Sequence, residues 1–344
     1  MSIIIPVSSN AEIGVCRRAM KLLAREIGFN DMALNELDVV TMELATNLAV
    51  HKTIKGEIIL AEISNHLGRG IEIAALDQGP GISDVKRALK DHYSTNGSMG
   101  CGLGAVQRQM DEFDIYSRLQ PRRSYDLYHK HEFYGTIIIT RKWMVKQQRS
   151  GPFIYSSYSR PLPGETANGD AFLISEEHNG LFIAVADGLG HGVEAEKASK
   201  RAIEYIFANR LMPFEYLIRE LNPKLHQTRG VALTLVRIDL SNQKLIHTGI
   251  GNVEARVYPR GESHLIPHEG ILGGRLLKKP KINKIPWPKN GTLIVFTDGI
   301  SGRWDLDEIP GLLDRHVSIL THLLIQKYAR PKDDATIVVV KAVV

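Results

Sequence analysis

Cysteine is scarce in this sequence, and long apolar runs are missing from it. Cys16 and Cys101 are the only two cysteines in 344 residues, and they stand in unrelated contexts with no paired spacing. A reducing compartment is therefore expected. No apolar run reaches the ~18 residues that a membrane span needs, and the opening "MSIIIPVSSN" lacks a basic region followed by a long apolar one. We therefore expect a cytoplasmic protein with no membrane partner.

Signatures of nucleic-acid recognition are missing as well. The formal net charge is +5, and basic side chains gather between Arg118 and Arg149. Such a cluster favours an acidic partner, but no recognition-helix, zinc or RNA-binding pattern accompanies it. We therefore expect no nucleic-acid partner.

The composition is that of an ordinary globular protein, with 43% hydrophobic and 24% charged residues. A length of 344 residues favours two domains over a single core. Around "KWMVKQQRSGP" the pattern lapses into charged and polar residues that end in Gly-Pro. We place the boundary there, between a first domain of residues 1–145 and a second domain of residues 150–344.

The first half combines helical and strand patterns. Apolar residues at helical spacing predict helices over 9–28, over 33–51, and from Gly104 through Met110 to Phe113. Runs of β-forming residues predict strands over 57–63, 70–77 and 135–143. These elements indicate helices on one face of an antiparallel-rich sheet, and so an α+β fold.

The second half consists mainly of short strands. Runs of β-forming residues cover 171–177, 181–187, 231–240, 244–251, 254–259, 292–298 and 335–341. Helical patterns cover 193–210, 213–227 and 306–329. Together they predict two packed sheets flanked by helices.

Three stretches of the first half suit a nucleotide. Glu43 and Asn47 lie four residues apart and so project from the same helix face, although a pair at the edge of the core would look the same. In "LDQGPGI" a strand ends at Asp77, whose carboxylate can accept a hydrogen bond from an exocyclic amine. Gly79 and Gly81 then let backbone approach a base, and a plain turn is the alternative.

The third stretch, "STNGSMGCGLGA", carries glycines directly into a helix. Gly100, Gly102 and Gly104 precede helical amides that suit a phosphate. A dinucleotide fingerprint is rejected, because no strand precedes these glycines and no ribose-binding acid follows them. The P-loop pattern is absent from the sequence.

The order E-x-x-x-N, then D-x-G-x-G, then a glycine-rich lid resembles the GHKL ATPase family over about residues 1–143. The stretches "ELATN", "LDQGPGI" and "YSTNGSMGCGLGAVQRQMDEF" look most like the RsbT-type serine kinases of bacterial stress signalling. No helix with a phosphoacceptor histidine and no transducer domain is present, which argues against histidine kinases and topoisomerases. The resemblance implies a two-layer α/β sandwich that binds ATP and Mg²⁺.

The resemblance also implies a role for each matched residue. Asn47 would hold Mg²⁺ against the phosphates of ATP, and Glu43 would orient or deprotonate the attacking serine hydroxyl. Asp77 would bind the adenine N6 amine. The glycines of the base pocket would be Gly79 and Gly81, and those of the phosphate lid Gly100, Gly102 and Gly104. Phosphoryl transfer needs this positioning and charge neutralisation.

Acidic residues recur at strand ends in the second half. Asp170, Asp187, Asp298 and the pair Asp333–Asp334 each adjoin a run of β-forming residues. One such acid is usually a turn residue, but four suggest a shared role. Carboxylates without cysteine or histidine at ligand spacing suit Mg²⁺ or Mn²⁺. Two such ions can activate a water and clamp a phosphoryl group.

The order G-D, D-G-x-G-H-G, D-G and D-D-x-T resembles the metal-dependent type-2C (PPM) phosphatases of the SpoIIE/RsbX branch, over about residues 151–344. The resemblance implies a four-layer αββα sandwich with two Mg²⁺ or Mn²⁺ ions. Asp187 would bridge the ions, and the Gly188 carbonyl would join it. The remaining ligands would be Asp170, Asp298 and Asp333, with Asp333 preferred over Asp334 because the family pattern begins there.

Three further residues lie near these motifs. His191 would donate a proton to the leaving serine oxygen, and a loop histidine bonded to backbone is the alternative. Arg160 is a candidate contact for the phosphate. Asn168 stands where many relatives have Gly or Ser, and we expect it to touch no ligand.

The two resemblances imply a bifunctional regulator of partner switching in bacterial stress or sigma-factor control. A serine/threonine kinase and an opposing phosphatase would act on a STAS-domain antagonist protein, RsbS-like or a sigma-factor regulator. Opposed activities would only consume ATP unless something biases them, so we expect control by partners. The alternatives are that the first half binds ATP and sequesters a partner without catalysis, or that one half is a degenerate enzyme.

Overall fold

The computed structural model describes residues 2–51, 53–65, 68–90, 102–120, 133–145, 151–259, 261, 265–274 and 280–343. The chain forms two compact units. Unit 1 consists of Met1–Arg149 and Asp314–Ile319, and unit 2 of Ser150–Leu313 and Leu320–Val344. Within the described ranges, no helix is both long enough and apolar enough to cross a membrane.

Unit 1 contains a five-stranded sheet. Its strands are β1 (Ser2–Pro6), β2 (Glu57–Asn65), β3 (Gly68–Asp77), β4 (Glu112–Arg118) and β5 (Gly135–Trp143). The order in space is β1-β2-β3-β5-β4, and every neighbouring pair is antiparallel. The β2–β3 hairpin brings Asp77, at the end of β3, to the edge where β2 begins.

Among the described residues of unit 1, the helices beside this sheet are α1 (Asn10–Ile27), α2 (Asp31–Val50), α3 (Val85–Ala88) and α4 (Gly102–Gln109). The capping box of Ser9 and Glu12 starts α1, as the sequence predicts. Apolar residues of α1, α2 and α4 form one core with inward-facing residues of β2 and β3. The predicted helix through Phe113 is too long, because α4 ends at Gln109 and Phe113 lies in β4. Whether this layout is the GHKL fold stays a prediction.

Unit 2 contains two sheets. The strands are β6 (Phe153–Arg160), β7 (Asp170–Glu177), β8 (Gly180–Gly188), β9 (Val231–Asp239), β10 (Lys244–Ile250), β11 (Glu254–Tyr258), β12 (Asn283–Pro286), β13 (Thr292–Phe296) and β14 (Ala335–Ala342). One sheet has the order β12-β10-β9-β8-β7, and the other has the order β11-β13-β14-β6.

The packing of β8 explains its uninterrupted apolar sequence. Leu181, Ile183 and Val185 belong to the core between the two sheets, whereas Phe182 and Ala184 belong to the core under the helices. Successive side chains of a strand point to opposite faces, so both faces of β8 are covered.

In the described part of unit 2, the sheets are flanked by α5 (Val193–Asn209), α6 (Phe214–Lys224) and, from Leu320 onward, α7 (Val317–Tyr328). Helices α5 and α6 cover the first sheet, and His322 of α7 meets the ring of Tyr158 on the second. The result is the four-layer αββα arrangement that the resemblance implies. The predicted helix 306–329 is shorter than expected, because a 3₁₀ turn at Leu306–Glu308 is followed by Pro310 and Gly311 before α7 begins.

Two candidate active sites

A cavity of about 420 Å³ in unit 1 lies between α2, β3, β5 and the loop that follows β3. Glu43, Asn47, Asp77, Gly81 and Gly102 line it. Three stretches that are far apart in the sequence therefore meet at one cavity. Its size suits a small ligand such as a nucleotide.

Glu43 is buried at one wall of this cavity, with 8% of its surface exposed. Burial raises the pKa of its carboxyl, against hydrogen bonds from the Asn47 side chain and the Gly102 backbone amide. Glu43 is therefore held in place by its helix neighbour and by the start of α4. A positioned carboxylate with a raised pKa is suited to accept a proton.

Asp77 lies at the end of β3 and is equally buried. Its Oδ1 accepts a hydrogen bond from the Gly79 amide at 2.6 Å. Burial raises the pKa of the Asp77 carboxyl, while the amides of Gly79 and Thr136 and the charge of His51 oppose that rise. The side chain is thus fixed within the cavity wall, with hydrogen-bonding capacity left for a ligand.

The glycines of the first half differ in their roles. Gly81 has φ +79°, and a Cβ there would collide with the Arg118 carbonyl oxygen, so only glycine fits. Gly81 and Gly102 line the cavity, whereas Gly79 and Gly104 do not. Gly100 lies outside the described residues.

In unit 2 the acidic stretches meet at one end of the two sheets. Asp170 begins β7 and Asp187 nearly ends β8, and the two are direct partners in the antiparallel pair. Asp298 follows β13, and Asp333 and Asp334 precede its antiparallel neighbour β14. Like charges placed directly opposite on neighbouring strands destabilise a sheet, so this pairing indicates a functional demand.

Crowding perturbs these carboxyls strongly. Burial, followed by the charges of Asp170, Asp298, Asp333 and Asp334, raises the pKa of Asp187 to about 8. Burial also raises the pKa of Asp170 to about 7, although the hydroxyls of Thr297 and Thr336 oppose it. Such a group of acids calls for a compensating cation.

Hydrogen bonds orient several of these acids. Asp170 Oδ2 accepts from Thr297 Oγ1 at 2.8 Å, which links the two sheets. Asp298 Oδ2 accepts from Asn252 Nδ2 at 2.7 Å. The sequence motifs imply a role for neither Thr297 nor Asn252. Thr297 directly precedes Asp298, but Asn252 shows no signal that sequence alone could reveal.

The neighbours Asp333 and Asp334 have different surroundings. Asp334 is buried, and its Oδ1 accepts from the Leu162 amide at 2.8 Å. Asp333 is half-buried; burial and the charge of Asp298 raise the pKa of its carboxyl. Asp334 is thus tied to a loop and its charge also raises the pKa of Asp170, while Asp333 interacts with Asp298. The choice of Asp333 as the ligand stays a prediction.

These residues fit a cation bound through oxygen. Within the described ranges, no three His, Cys, Asp or Glu side chains form a closed metal-binding group. Yet in the same ranges the buried Oδ2 of Asp334 has no hydrogen-bond partner, and Asp187 accepts no hydrogen bond. Mg²⁺ usually keeps several waters and needs only a few carboxylates, so an open acidic group suits it.

Three side chains border this acidic group. The ring Nδ1 of His191 lies 2.5 Å from Glu165 Oε1, so His191 pairs with a side chain rather than with backbone. The guanidinium of Arg160 donates to the carbonyls of Pro161, Asp333 and Arg330, which assigns it to holding loops. The Asn168 Oδ1 accepts from the backbone amide of Asp170 at 3.0 Å and makes no contact with the Asp170 carboxylate through this bond, so the expectation that Asn168 touches no ligand stays a prediction.

Known proteins are similar to both halves. The family model "Stage II sporulation protein E (SpoIIE)" matches residues 177–343. The serine/threonine-protein kinase RsbT of Bacillus subtilis (strain 168) is 35% identical over 106 residues, which are 31% of this chain and 79% of RsbT. The phosphoserine phosphatase RsbX of the same organism is 27% identical over 146 residues, which are 42% of this chain and 73% of RsbX.

Two solved structures are similar as well. One is described as "The bacterial stressosome: a modular system that has been adapted to control secondary messenger signaling". It has a TM-score of 0.52 and 26% identity over 55% of this chain and 100% of that chain. The other is RsbX in complex with magnesium, with a TM-score of 0.50 and 23% identity over 57% of this chain and 98% of that one. At 23% identity the second similarity concerns the fold alone.

Proposed function

Because the chain belongs to the family of RsbT and carries a SpoIIE-type, PP2C-like phosphatase domain, we propose that it both phosphorylates and dephosphorylates one protein partner. The observation that carries this proposal is the pairing of two different acidic sites in one chain. Glu43, Asn47 and Asp77 meet at a 420 Å³ cavity. Asp170 and Asp187 face each other in a separate acidic group.

In the kinase half, ATP is the phosphoryl donor. Asp77 accepts a hydrogen bond from the adenine amine, and Asn47 is placed to hold Mg²⁺ against the phosphates. Gly102, which lines the cavity, belongs to the lid over those phosphates. Glu43, held by Asn47 and the Gly102 amide, accepts the proton of the attacking serine or threonine hydroxyl.

In the phosphatase half, Asp170, Asp187, Asp298 and Asp333, with the Gly188 carbonyl, hold two Mg²⁺ or Mn²⁺ ions. Bound there, the ions would lower the pKa of a water and neutralise the phosphate. Thr297 and Asn252 orient Asp170 and Asp298 through the hydrogen bonds described above. His191 holds the proton that the leaving serine oxygen takes up.

The partner that we propose is a STAS-domain antagonist protein, of the RsbS type or a regulator of a sigma factor. The support is the resemblance to RsbT and RsbX, whose two activities are opposite in sense. A kinase and a phosphatase in one chain together set the phosphorylation level of a partner when both act on the same serine or threonine. This is an inference from family likeness.

Incubation of the Asp187→Asn chain, in which the phosphatase half should be inactive, with a STAS-domain protein and γ-³²P-ATP in Mg²⁺ tests the kinase half. We expect label on the STAS serine or threonine, and no label with Asn47→Ala. A stable complex without label would contradict kinase activity and support the alternative, in which the first half binds ATP and sequesters its partner. Hydrolysis of a phosphoserine peptide in Mn²⁺ tests the phosphatase half separately.

A further inference from the structure

Glu165 and His191 form a side-chain pair at the border of the acidic group. Glu165 lies on the loop between β6 and β7, and His191 lies on the loop between β8 and α5. Their Oε1 and Nδ1 atoms are 2.5 Å apart, although 26 residues separate them in sequence. The sequence motifs imply no role for Glu165.

Hydrogen bonds fix the backbone of both residues of this pair or of the loops that carry them. The Leu162 carbonyl accepts from the Glu165 amide at 2.9 Å, and the Leu162 amide donates to Asp334 Oδ1. The His191 carbonyl accepts from Arg229 Nη1 at 3.3 Å. The loop carrying Glu165 is therefore anchored to the acidic group, and the loop carrying His191 is anchored to the segment before β9.

The glycine that follows His191 leaves room for the contact. Gly192 has φ +80°, and a Cβ there would lie 3.0 Å from Glu165 Oε2. Glycine at this position therefore permits Glu165 to approach.

We propose that Glu165 is a positioning residue that fixes the His191 ring through Nδ1, so that Nε2 delivers a proton to the leaving serine or threonine oxygen. This inference rests on the proposed phosphatase activity. A carboxylate that accepts from one ring nitrogen fixes the orientation of the ring, so the other nitrogen is aimed at the leaving oxygen and serves as the acid when it carries a proton. Glu165 itself touches neither substrate nor metal in this role.

Bonds and protons balance in this step. The bond between phosphorus and the serine oxygen breaks while a bond between phosphorus and a water oxygen forms. The Nε2 proton of His191 passes to the serine oxygen, and the attacking water releases one proton to solvent. The ring then regains a proton from solvent, and serine and inorganic phosphate leave.

Two substrates that differ in their need for a proton on the leaving group distinguish this positioning role from a purely structural one. A serine alkoxide needs a proton as it departs, whereas the p-nitrophenolate of p-nitrophenyl phosphate departs without one. In Mn²⁺ we expect Glu165→Gln to lower kcat for a phosphoserine peptide about 10-fold, and His191→Ala to lower it about 100-fold. Both variants should hydrolyse p-nitrophenyl phosphate within about 2-fold of the wild type.

Controls make the result decisive. Glu194→Gln, which removes an exposed acid paired with Lys197, should change neither rate. In the metal-free protein, ¹⁵N shifts of His191 should show an Nδ1 proton that moves toward Nε2 in Glu165→Ala. The double variant Glu165→Gln/His191→Ala should lose no more activity than His191→Ala alone.

If Glu165→Gln lost activity equally on the phosphoserine peptide and on p-nitrophenyl phosphate, the positioning role would be overturned. The same holds if the activity losses of the two single variants added up in the double variant. A Glu165→Gln variant with an unchanged rate on the peptide would overturn it as well. A wild-type chain that hydrolyses neither substrate in Mn²⁺ would overturn the proposed phosphatase function, and the positioning role with it.

Discussion

At the scale of single residues, Asp187 lies in surroundings that strongly disfavour its charged form. It faces Asp170 across two paired strands, and burial and neighbouring acids raise the pKa of its carboxyl to about 8. Asp187→Asn should abolish Mn²⁺-dependent release of phosphate from phosphoserine, because a neutral amide lacks the negative charge with which Asp187 would hold the proposed cations. Asp239→Asn, in an exposed turn that Asp239 forms with Asn242, is the matched control and should keep activity.

Loss of activity in Asp187→Asn should not come from unfolding. The substitution removes a buried carboxyl whose ionisation is disfavoured beside Asp170, so the metal-free variant should unfold in urea at a concentration equal to or above that of the wild type. Retained Mn²⁺-dependent activity would contradict the assignment of Asp187 as a metal ligand.

Asp77 should select the adenine base. In Asp77→Asn the Gly79 amide can still be satisfied by Oδ1, but the new amide NH₂ would face the adenine amine, donor against donor. We expect ATP affinity to fall about 10- to 100-fold, as for loss of a charged hydrogen bond. The affinity for GTP should fall less, because the guanine O6 can accept a hydrogen bond from the new amide NH₂. Calorimetry with both nucleotides measures this, and equal losses would contradict base readout by Asp77.

Single residues outside motifs were the least predictable part of both sites. Asp77 and Asp187 follow strands and precede glycines, so pattern alone indicates them. Thr297 and Asp170 are 127 residues apart, and only the packing of two sheets brings them together. Glu165 and Asn252 likewise become site residues through the fold, because nothing in their local sequence assigns them a role.

At the scale of elements, β10 carries a buried histidine. His247 is fully buried, and burial, assisted by the charge of His268, lowers its pKa to about 4. The unfolded chain binds this proton near the ordinary pKa of about 6.5, so protons favour unfolding between the two values. The stability that neutral His247 contributes is fully present above the unfolded-state pKa of about 6.5 and is lost as the pH falls toward the folded-state pKa of about 4.

The expected loss from His247 is about 2 kcal/mol between pH 7 and pH 5. Urea unfolding of the wild type and of His247→Gln at both pH values checks it. Glutamine does not titrate, so the variant should show a smaller pH dependence by about that amount. An identical pH dependence in the two proteins would show that His247 does not titrate between the folded and unfolded states.

The pairing of β3 with β5 contains a buried ion pair. Arg141 Nε donates to Glu72 Oε2 at 2.7 Å, and both side chains are about 95% buried. Within unit 1 the Ser318 hydroxyl also donates to Glu72, at 2.5 Å. Arg141→Met should cost about 3–5 kcal/mol of unfolding free energy, because it leaves a buried carboxylate without its cation.

A matched pair on neighbouring strands provides the control. Arg69 and Glu62 are bonded at a similar distance, 2.6 Å, but are exposed. Arg69→Met should therefore cost no more than about 1 kcal/mol. The double variant Glu72→Leu/Arg141→Met should regain most of the loss, since no charge is then buried alone. A small effect of Arg141→Met in urea unfolding would contradict the importance of this pair.

Element type was predictable where apolar periodicity is long, and less so at boundaries. The capping box of α1 and the buried run of β8 are visible in sequence. The helix after Gly104 was predicted too long, because Phe113 continues the apolar spacing while its segment pairs with β5. Such pairing is a tertiary effect that local pattern cannot report.

At the scale of the whole molecule, the chain combines similarity to a kinase, RsbT, with similarity to a phosphatase, RsbX. A kinase and a phosphatase that act on one serine would cycle ATP without net effect, so a partner must favour one of them. The motifs of each half resemble a separate regulator, so this pairing is visible in the sequence alone. What sequence could not supply is the arrangement of Glu43, Asn47 and Asp77 around one cavity, which depends on how α2 packs beside β3.

The most direct measurement uses the phosphatase site to trap the product of the kinase site. The wild-type chain, Asp187→Asn and Asp187→Asn/Asn47→Ala are each incubated with a STAS-domain protein, γ-³²P-ATP, Mg²⁺ and Mn²⁺. We predict that label accumulates on the STAS protein with Asp187→Asn, turns over to free phosphate with the wild type, and is absent with the double variant. No label with Asp187→Asn, or equal accumulation with Asp187→Asn and the wild type, would contradict two opposed activities in one chain.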